Sequence, residues 1–586
     1  EVYSLFATTI YHTETSTGMA TSGAASALWF WQRLKRACPD WHGTIGWSVA
    51  EGEYVVQEVV WAGTQTGALQ TRWGTLAPSN RAIRIIATLW YRFSGKLIQE
   101  THHHLDFLAL LEQLGSFDGL RQPPICEQEY IMTTLATMEA GVMELRANFA
   151  GQLLTPADPG YDQARTVWNA MIDRRPRLIA RCAGTADVVR AVEFARTHDL
   201  VVSVRGGGHN VAGNAVCDDG LMIDLSLMKG IVVDADARTA QVEPGVLWSE
   251  LDQATQQHGL ATTGGTVSHT GVAGLTLGGG LGWLMAQHGA ASDNLLSANL
   301  VLADGRQVTA SADHNADLFW AIRGGGGNFG IATRFVFQLH PVGPTVLGGM
   351  VLYPLDQAAD VLRFYRDFSA ACPDELTVFA GIFSTPEGLP VVALIPGWFG
   401  EHEAGQKALE PLRSFGTPLV DMVGPIPYTQ LQAMFDAAAG PGLPRYWKSG
   451  YFTELDDALI EQIVDHASRR TSPMSLVLLF HMHGAVTRVP SGAIAFTHRR
   501  NQWDFDIIAQ WTEPNSAPEH IGWVRTFWQA VAPRSNGVYV NHIDGDDGAA
   551  RVRAAYGDHY ERLAQVKAIY DPTNFFRMNN NIKPQP

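Results

Sequence analysis

The sequence predicts an α+β chain of more than one folding unit, and three observations predict it. Residues 1 to about 120 carry runs of strand-forming residues closed by a helix, with no regular alternation of strand and helix. From Arg177 to about Pro341, short strands and helices do alternate, separated by glycine-rich turns. From about 345 to 530 the elements lengthen, the pattern of a separate antiparallel-sheet unit.

In the first unit an amphipathic helix is expected around Ala25–Cys38, then strands at Ile45–Val49, Tyr54–Thr64, Ile83–Phe93 and Lys96–His104. The break Phe93-Ser94-Gly95-Lys96 reads as a hairpin turn. A helix at Leu105–Leu114 closes the unit. A connector with Pro123-Pro124 and a helix at Thr134–Phe149 lead into the second unit. There, strands at Leu178–Cys182 and Val201–Arg205 flank a helix, Thr185–His198, with Thr185 as the expected N-cap. The tail carries an expected strand, Gly537–Asn541, and a helix, Tyr556–Ile569. The expected divisions are 1–118, 119–150 (linker and lead-in helix), 151–343, 344–534 and 535–586.

With 586 residues, 46% of them hydrophobic, the chain can bury several cores. Its formal charge of -16 argues against nucleic-acid and anionic-membrane partners, which need clustered Lys and Arg. The five cysteines (Cys38, Cys126, Cys182, Cys217 and Cys372) lie far apart and form no CxxC. That fits a reducing compartment and excludes neither fold nor function, but it argues against a disulfide scaffold or a zinc site, and no metal is expected. No apolar run reaches the roughly 18 residues a membrane span needs, and no charged-then-apolar leader is evident. A cytoplasmic protein is expected. The chain starts at Glu1 rather than Met, which leaves a removed leader or a trimmed chain open.

Three glycine-rich segments carry the functional argument. They are Val204-Arg205-Gly206-Gly207-Gly208-His209-Asn210, Gly264 through Gly280, and Arg323-Gly324-Gly325-Gly326-Gly327-Asn328-Phe329-Gly330. Runs without side chains let backbone N–H groups converge on an anion. Gly325 to Gly330 spells GxGxxG, but Ile331-Ala332-Thr333-Arg334-Phe335-Val336-Phe337 behind it reads as a strand, whereas a dinucleotide fingerprint opens a helix. No Gly-Lys-Ser/Thr follows any of the three, so a P-loop is excluded as well. A diphosphate site of another kind is expected.

These segments resemble the FAD-binding domain of the berberine-bridge-enzyme-like oxidases, in the vanillyl-alcohol-oxidase and para-cresol-methylhydroxylase superfamily. The matching stretches include Tyr161 to Ile179, Arg205 to Asn210, Gly271 to Trp283, Ser292-Asp293-Asn294-Leu295 and Asp317 to Gly330, and in the tail Tyr570-Asp571-Pro572-Thr573-Asn574-Phe575-Phe576-Arg577. The resemblance spans about three quarters of the chain. It implies a two-subdomain FAD-binding oxidase with a separate antiparallel-sheet substrate domain, a small-molecule substrate, and O2 as the second reactant. It implies a covalent bond from His209 to the flavin. Doubly linked relatives add a cysteine at the position of Val267, so a single link is expected. The cofactor-binding residues implied are Arg205, Gly206, Gly207, Gly208, His209, Asn210, Gly213, Thr266, Thr270, Gly271, Gly274, Gly278, Gly279, Gly280, Asn294, Gly330, Ile331, Asn541, Asn579 and Asn581.

Flavin oxidation of an alcohol or amine needs a base beside the reacting carbon. Where the resembling oxidases carry Tyr-x-Asn-Tyr, this chain reads Tyr539-Val540-Asn541-His542. Imidazole titrates near neutrality unaided, whereas a phenol does not. His542 is therefore the candidate base and Tyr539 its orienting donor, the alternative being that His542 only packs. The element Phe496-Thr497-His498-Arg499 is expected to be structural.

Residues 1–115 resemble the SnoaL-like polyketide cyclases, whose α+β barrel is cone-shaped. The resemblance rests on Val49-Ala50-Glu51-Gly52, Gly63-Thr64-Gln65-Thr66-Gly67, Tyr91-Arg92-Phe93 and Asp106 through Gly115. It implies Asp106 as an acid/base residue. Glu100, His102, His104 and Asp106 alternate, which on a continuing strand aims them at one face. The unit is then either a cyclase or a binding module. The expectation for the whole is an FAD-dependent oxidase, coupled or not to a cyclisation. A flavin-dependent cyclase or dehydrogenase that does not use oxygen is the rival.

Overall fold

A computed structural model describes residues 140–585 and, before them, 6–14, 19–22, 36–40, 42–51, 54–67, 69–71, 74–76, 79–94, 97–105 and 138. The chain divides into two compact units, Glu1–Ala140 and Gly141–Pro586.

The first unit is built on a six-stranded sheet in the order Met19–Ser22, Phe6–Glu14, Leu97–Leu105, Ala82–Ser94, Tyr54–Thr64, His42–Glu51. All four expected strands are present, and two N-terminal strands join them. The expected helices at Ala25–Cys38 and Leu105–Leu114 fall almost wholly outside the described residues. Along Ala82–Ser94 the burial alternates, with Ile83, Ile85, Ala87 and Leu89 buried and Arg84 and Ile86 exposed. Residues paired across an antiparallel ladder share a face. Glu100, His102 and His104 pair with Arg92, Trp90 and Thr88, which alternate with the buried set. The side chains of Glu100, His102 and His104 and the whole of Asp106 lie outside the described residues.

The second unit starts with a four-stranded sheet in which Val202–Arg205, Leu221–Asp224 and Leu178–Arg181 run parallel and Gln152–Leu154 closes the edge antiparallel. The helix Thr185–Thr197 crosses between Leu178–Arg181 and Val202–Arg205, as expected. Its N-cap is Gly184 and not Thr185. Asp187, one turn in, instead accepts the N–H groups of Ala150, Gly151 and Ala183. An antiparallel five-stranded sheet follows, in the order Ile231–Asp234, Thr239–Val242, Ile331–Gln338, Leu295–Val301, Gln307–Ser311. The strand after the third glycine run is thus present where a dinucleotide fingerprint would need a helix.

Residues 345–510 form a nine-stranded sheet whose last members run Leu376–Ser384, Leu476–Met482, Gln502–Gln510, Arg445–Phe452. Its two faces have different fates, because side chains alternate along a strand. Trp503, Phe505, Ile507, Ala509 and Trp511 pack beneath the helices Ala358–Ala370, Asp457–Ser468 and Ala517–Val531. Gln502, Asp504, Asp506, Ile508 and Gln510 project from the other side.

The tail departs from expectation. No strand forms at Gly537–Asn541; Val540–His542 is a turn of 3-10 helix. There the backbone bonds to itself, the His542 N–H donating to the Tyr539 carbonyl at 3.0 Å, and Asn541 Nδ2 donates to Tyr539 Oη at 2.8 Å. The terminal helix, Tyr560–Tyr570, is anchored by Lys567, fully buried beside fully buried Asp571.

Candidate active site

The first glycine segment leaves the sheet at the C-terminal end of Val202–Arg205. Ligands of open parallel sheets collect at such strand ends. Gly208 adopts φ +72, a left-handed conformation that favours glycine. Gly207 meets Gly271 of the second segment backbone to backbone: a Cβ on Gly207 would stand 2.4 Å from the Gly271 nitrogen. The two glycine runs can touch only because neither carries a side chain there.

Between these runs and the large sheet lies a cavity of about 260 Å³. Of the expected residues, Gly206, Gly207, Gly208, His209, Asn210, Thr266, Thr270, Gly271, Gly274, Tyr539, Asn541 and His542 line it. Val267 lines it too, and no cysteine does.

The remaining expected residues stand behind the wall. Arg205 is spent on Asp224, at 2.6 and 3.0 Å, and on the carbonyls of Ala164 and Thr166. Burial would raise Asp224, and Arg205 overrides it, holding the carboxylate below its ordinary value. Gly213 packs on Ile172. Gly278 lies against Asn541, Gly279 against Phe496 and Gly280 against Ala291. Asn294 is consumed by the carbonyls of His288 and Ala290 and by His340. Gly330 and Ile331 lie beside the strand Leu295–Val301. Asn579 donates to the carbonyls of Phe576 and Gly327. The buried acceptor oxygens of Asn579 and Asn581 have no donor among the described residues. His498 and Arg499 are structural, Arg499 gripping Asp293 at 2.6 and 2.9 Å.

His209 is stacked on Trp168 at 4.4 Å, and Arg445 covers the other face of that indole at 3.9 Å. Its Nε2 lies 2.8 Å from Nδ1 of His269. Burial, with His269 and Arg445 beside it, pushes His209 down to about 3, so its imidazole is neutral. Trp168 and Arg445 were not legible in the sequence; nothing local marks them.

At the other end stands a cluster that spacing along the chain hides. His542 Nδ1 lies 3.0 Å from Asp506 and 3.5 Å from Asp504. Both carboxylates are fully buried, and the ligand atoms of the three residues lie within 4.8 Å of one another, close enough also to hold a metal ion. Trp447 Nε1 donates to Asp506 at 2.7 Å and Ser449 Oγ to Asp504 at 3.3 Å. Burial, then Asp506, pushes Asp504 up to about 8. Burial alone would lower His542; Asp506 and Asp504 override it and raise it above 6.5. Tyr539 is raised by burial, although its oxygen accepts the Gly280 N–H at 2.7 Å and the Asn541 amide. A signal for the carboxylates did exist: Asp at alternate positions inside the apolar run Trp503-Asp504-Phe505-Asp506-Ile507-Ile508.

Comparison with known proteins matches residues 176–311 to the FAD binding domain family, 538–583 to the "Berberine and berberine like" family, and 1–114 to the SnoaL-like polyketide cyclases. An FAD-linked oxidoreductase of Dictyostelium discoideum is 36% identical over 421 residues, 71% of this chain and 91% of that protein. The chain belongs to the berberine-bridge-like FAD-linked oxidoreductases. The (R)-6-hydroxynicotine oxidase of Paenarthrobacter nicotinovorans is 30% identical over 454 residues, 74% of this oxidoreductase and 97% of that one. The solved 6-hydroxy-D-nicotine oxidase of Arthrobacter nicotinovorans superposes with a TM-score of 0.69 at 28% identity, covering 75% of this chain and 98% of that one. A chitooligosaccharide oxidase structure, at 23% identity and TM-score 0.67 over 77% and 100% of the two chains, shares the fold. Among the described residues of the oxidoreductase, no helix is long and apolar enough to cross a membrane.

The glycine contact makes a first test of this oxidoreductase. Gly207→Ala places a methyl group where neither backbone can retreat, and is expected to yield protein with markedly lower flavin absorbance per chain than wild type. Unchanged flavin content would contradict the packing described.

Proposed function

We propose that this oxidoreductase is an oxidase of a small organic or polyketide-like natural product, acting at an alcohol, amine or C–H position, with FAD held by one covalent bond to His209 and O2 as the second reactant. The observation that carries the reading is a neutral imidazole at position 209, beside a cavity walled by two glycine runs, facing Val267 rather than a cysteine. The residues fit the group: the glycine contact leaves backbone where a phosphate needs N–H donors, and Nε2 of His209 is occupied by His269, which leaves Nδ1 for the bond.

Bound there, FAD supplies a hydride acceptor that oxygen restores with release of peroxide. The chain's own residues do the rest. Tyr539, anchored by Gly280 and Asn541, orients a substrate oxygen or nitrogen. His542, held by Asp506, takes the proton as the C–H bond gives up its hydride. Trp447, Phe435, Leu478 and Phe480 exclude water from the cavity.

The reading assigns residues 151–343 and 535–586 to the cofactor, 344–534 to the substrate, and 1–118, joined by 119–150, to a cyclase-like unit.

Acid denaturation followed by ultrafiltration tests the tether. The yellow colour is expected to stay with wild-type protein and to pass the filter with His209→Ala. Colour that escapes from wild type ends the covalent assignment, and turnover without peroxide favours the dehydrogenase instead.

A further inference from the structure

We propose that Asp504, Asp506 and His542 act as one buried unit, in which the two carboxylates hold the imidazole from its Nδ1 side and His542 receives the proton the substrate gives up. The inference rests on the oxidase reading above and adds two positioning residues to it.

The strand Gln502–Gln510 places Asp504 and Asp506 on its cavity face, two residues apart. Each carboxylate has one oxygen tied down: Asp504 Oδ1 by Ser449, Asp506 Oδ1 by Trp447. The other oxygen of each, Oδ2, is buried and has no hydrogen-bond donor among the described residues. A buried acceptor left without a donor needs an explanation. Two neighbouring carboxyl groups out of water cannot both stay ionised, so the pair retains a proton. Burial and the neighbouring Asp506 raise Asp504, which favours that carboxyl as the holder of the proton. Asp506 Oδ1 lies 3.0 Å from His542 Nδ1.

The other groups around the cluster do not compete for the role. Tyr451 stands opposite Asp504 and Ser449 opposite Asp506 on Arg445–Phe452, while Leu476–Met482 presents only Phe480 and Leu478 to the two carboxyls. From the tail come Tyr539 and Asp544, the latter engaged by the Trp447 N–H at 3.0 Å. Burial raises both Tyr451 and Tyr539, so both stay phenols.

The chemistry balances. The substrate O–H or N–H bond breaks and its proton passes to His542 on the ring side away from the carboxylates. The electron pair left behind forms the new C=O or C=N bond. The hydrogen of the adjacent C–H bond would leave with its electron pair as hydride, and FAD held beside His209 and the glycine runs would supply the two-electron acceptor. With Trp447, Phe435, Leu478 and Phe480 also lining the cavity, the favoured substrate is a largely apolar ring compound that presents one hydroxyl or amine hydrogen to the cluster.

Infrared difference spectroscopy on the flavin-loaded protein tests this without a known substrate. A protonated-carboxyl band is expected at neutral pH in the wild-type-minus-Asp504→Asn difference spectrum, where the contribution of buried Asp252, itself raised to about 7, cancels. Imidazole NMR is expected to show His542 titrating above 6.5 in wild type and at a lower pH in Asp506→Asn, where only Asp504 still opposes burial. In turnover, Asp506→Asn is expected to cost more than about tenfold in kcat and to move the acid limb of kcat/KM downward. No carboxyl band, an unmoved imidazole titration, or one equivalent of tightly bound metal in the purified protein would each overturn the proposal. Loss of the tether or of peroxide would instead defeat the oxidase reading, while the infrared and NMR outcomes still stand.

Discussion

His542→Ala is expected to lower kcat/KM by about two to four orders of magnitude, the usual contribution of a positioned base, with flavin content unchanged. The imidazole sits between Trp447, 4.7 Å away, and Tyr539, 4.8 Å away, and contacts both buried carboxylates. Removing it leaves the substrate proton without an acceptor of suitable basicity, since Tyr539 is raised by burial and Asp504 retains its own proton. The pH dependence has a definite sign. The carboxylates favour the protonated imidazole, so the base form is populated only at pH above the ordinary 6.5, and kcat/KM falls as pH drops through that raised value. His542→Ala should lose this acid limb. If the variant instead keeps wild-type kcat/KM while its melting temperature falls, the histidine only packs.

Lys567→Met is expected to cost about 3–5 kcal/mol, the penalty for stripping one partner from a buried ion pair. Both Lys567 and Asp571 are fully buried. The ammonium donates to Asp571 at 2.6 Å, to the Asn328 carbonyl at 2.6 Å and to the Phe576 carbonyl at 2.9 Å. Without it, Asp571 keeps only the N–H groups of Phe575 and Phe576, the Asn328 carbonyl loses its donor, and the Phe576 carbonyl keeps only Asn579. The lysine ties the tail to the third glycine run, where Asn328 in turn holds the carbonyl of Asn580 and the N–H of Ile582. A shift of the denaturation midpoint of the 141–586 unit measures the effect; a midpoint within about 0.5 kcal/mol of wild type, the range of ordinary surface substitutions, would show that the pair is dispensable.

The third glycine run, 323–330, shows how near and how far sequence reasoning reaches. Its letters spell a dinucleotide fingerprint, and the strand-like residues behind it refuted that reading before any coordinates did. Yet the run lies against the tail and Phe496 rather than on the cavity, because long-range packing chooses which backbone a glycine admits. The four strands of the first unit and the helix after Leu178–Arg181 were legible because burial on one face leaves a period in the sequence.

What the sequence determined by itself is the family, the glycine-rich loop around His209 and the valine rather than cysteine at position 267, because backbone contacts that tolerate no side chain leave glycine in fixed local patterns. Only the tertiary structure decided the reacting end. Asp504, Asp506 and His542 are brought together by sheet pairing and a 3-10 turn across more than 30 residues, and Trp168 meets Arg445 across 277. Proximity of that kind depends on how elements dock, and docking is written in no single stretch of chain.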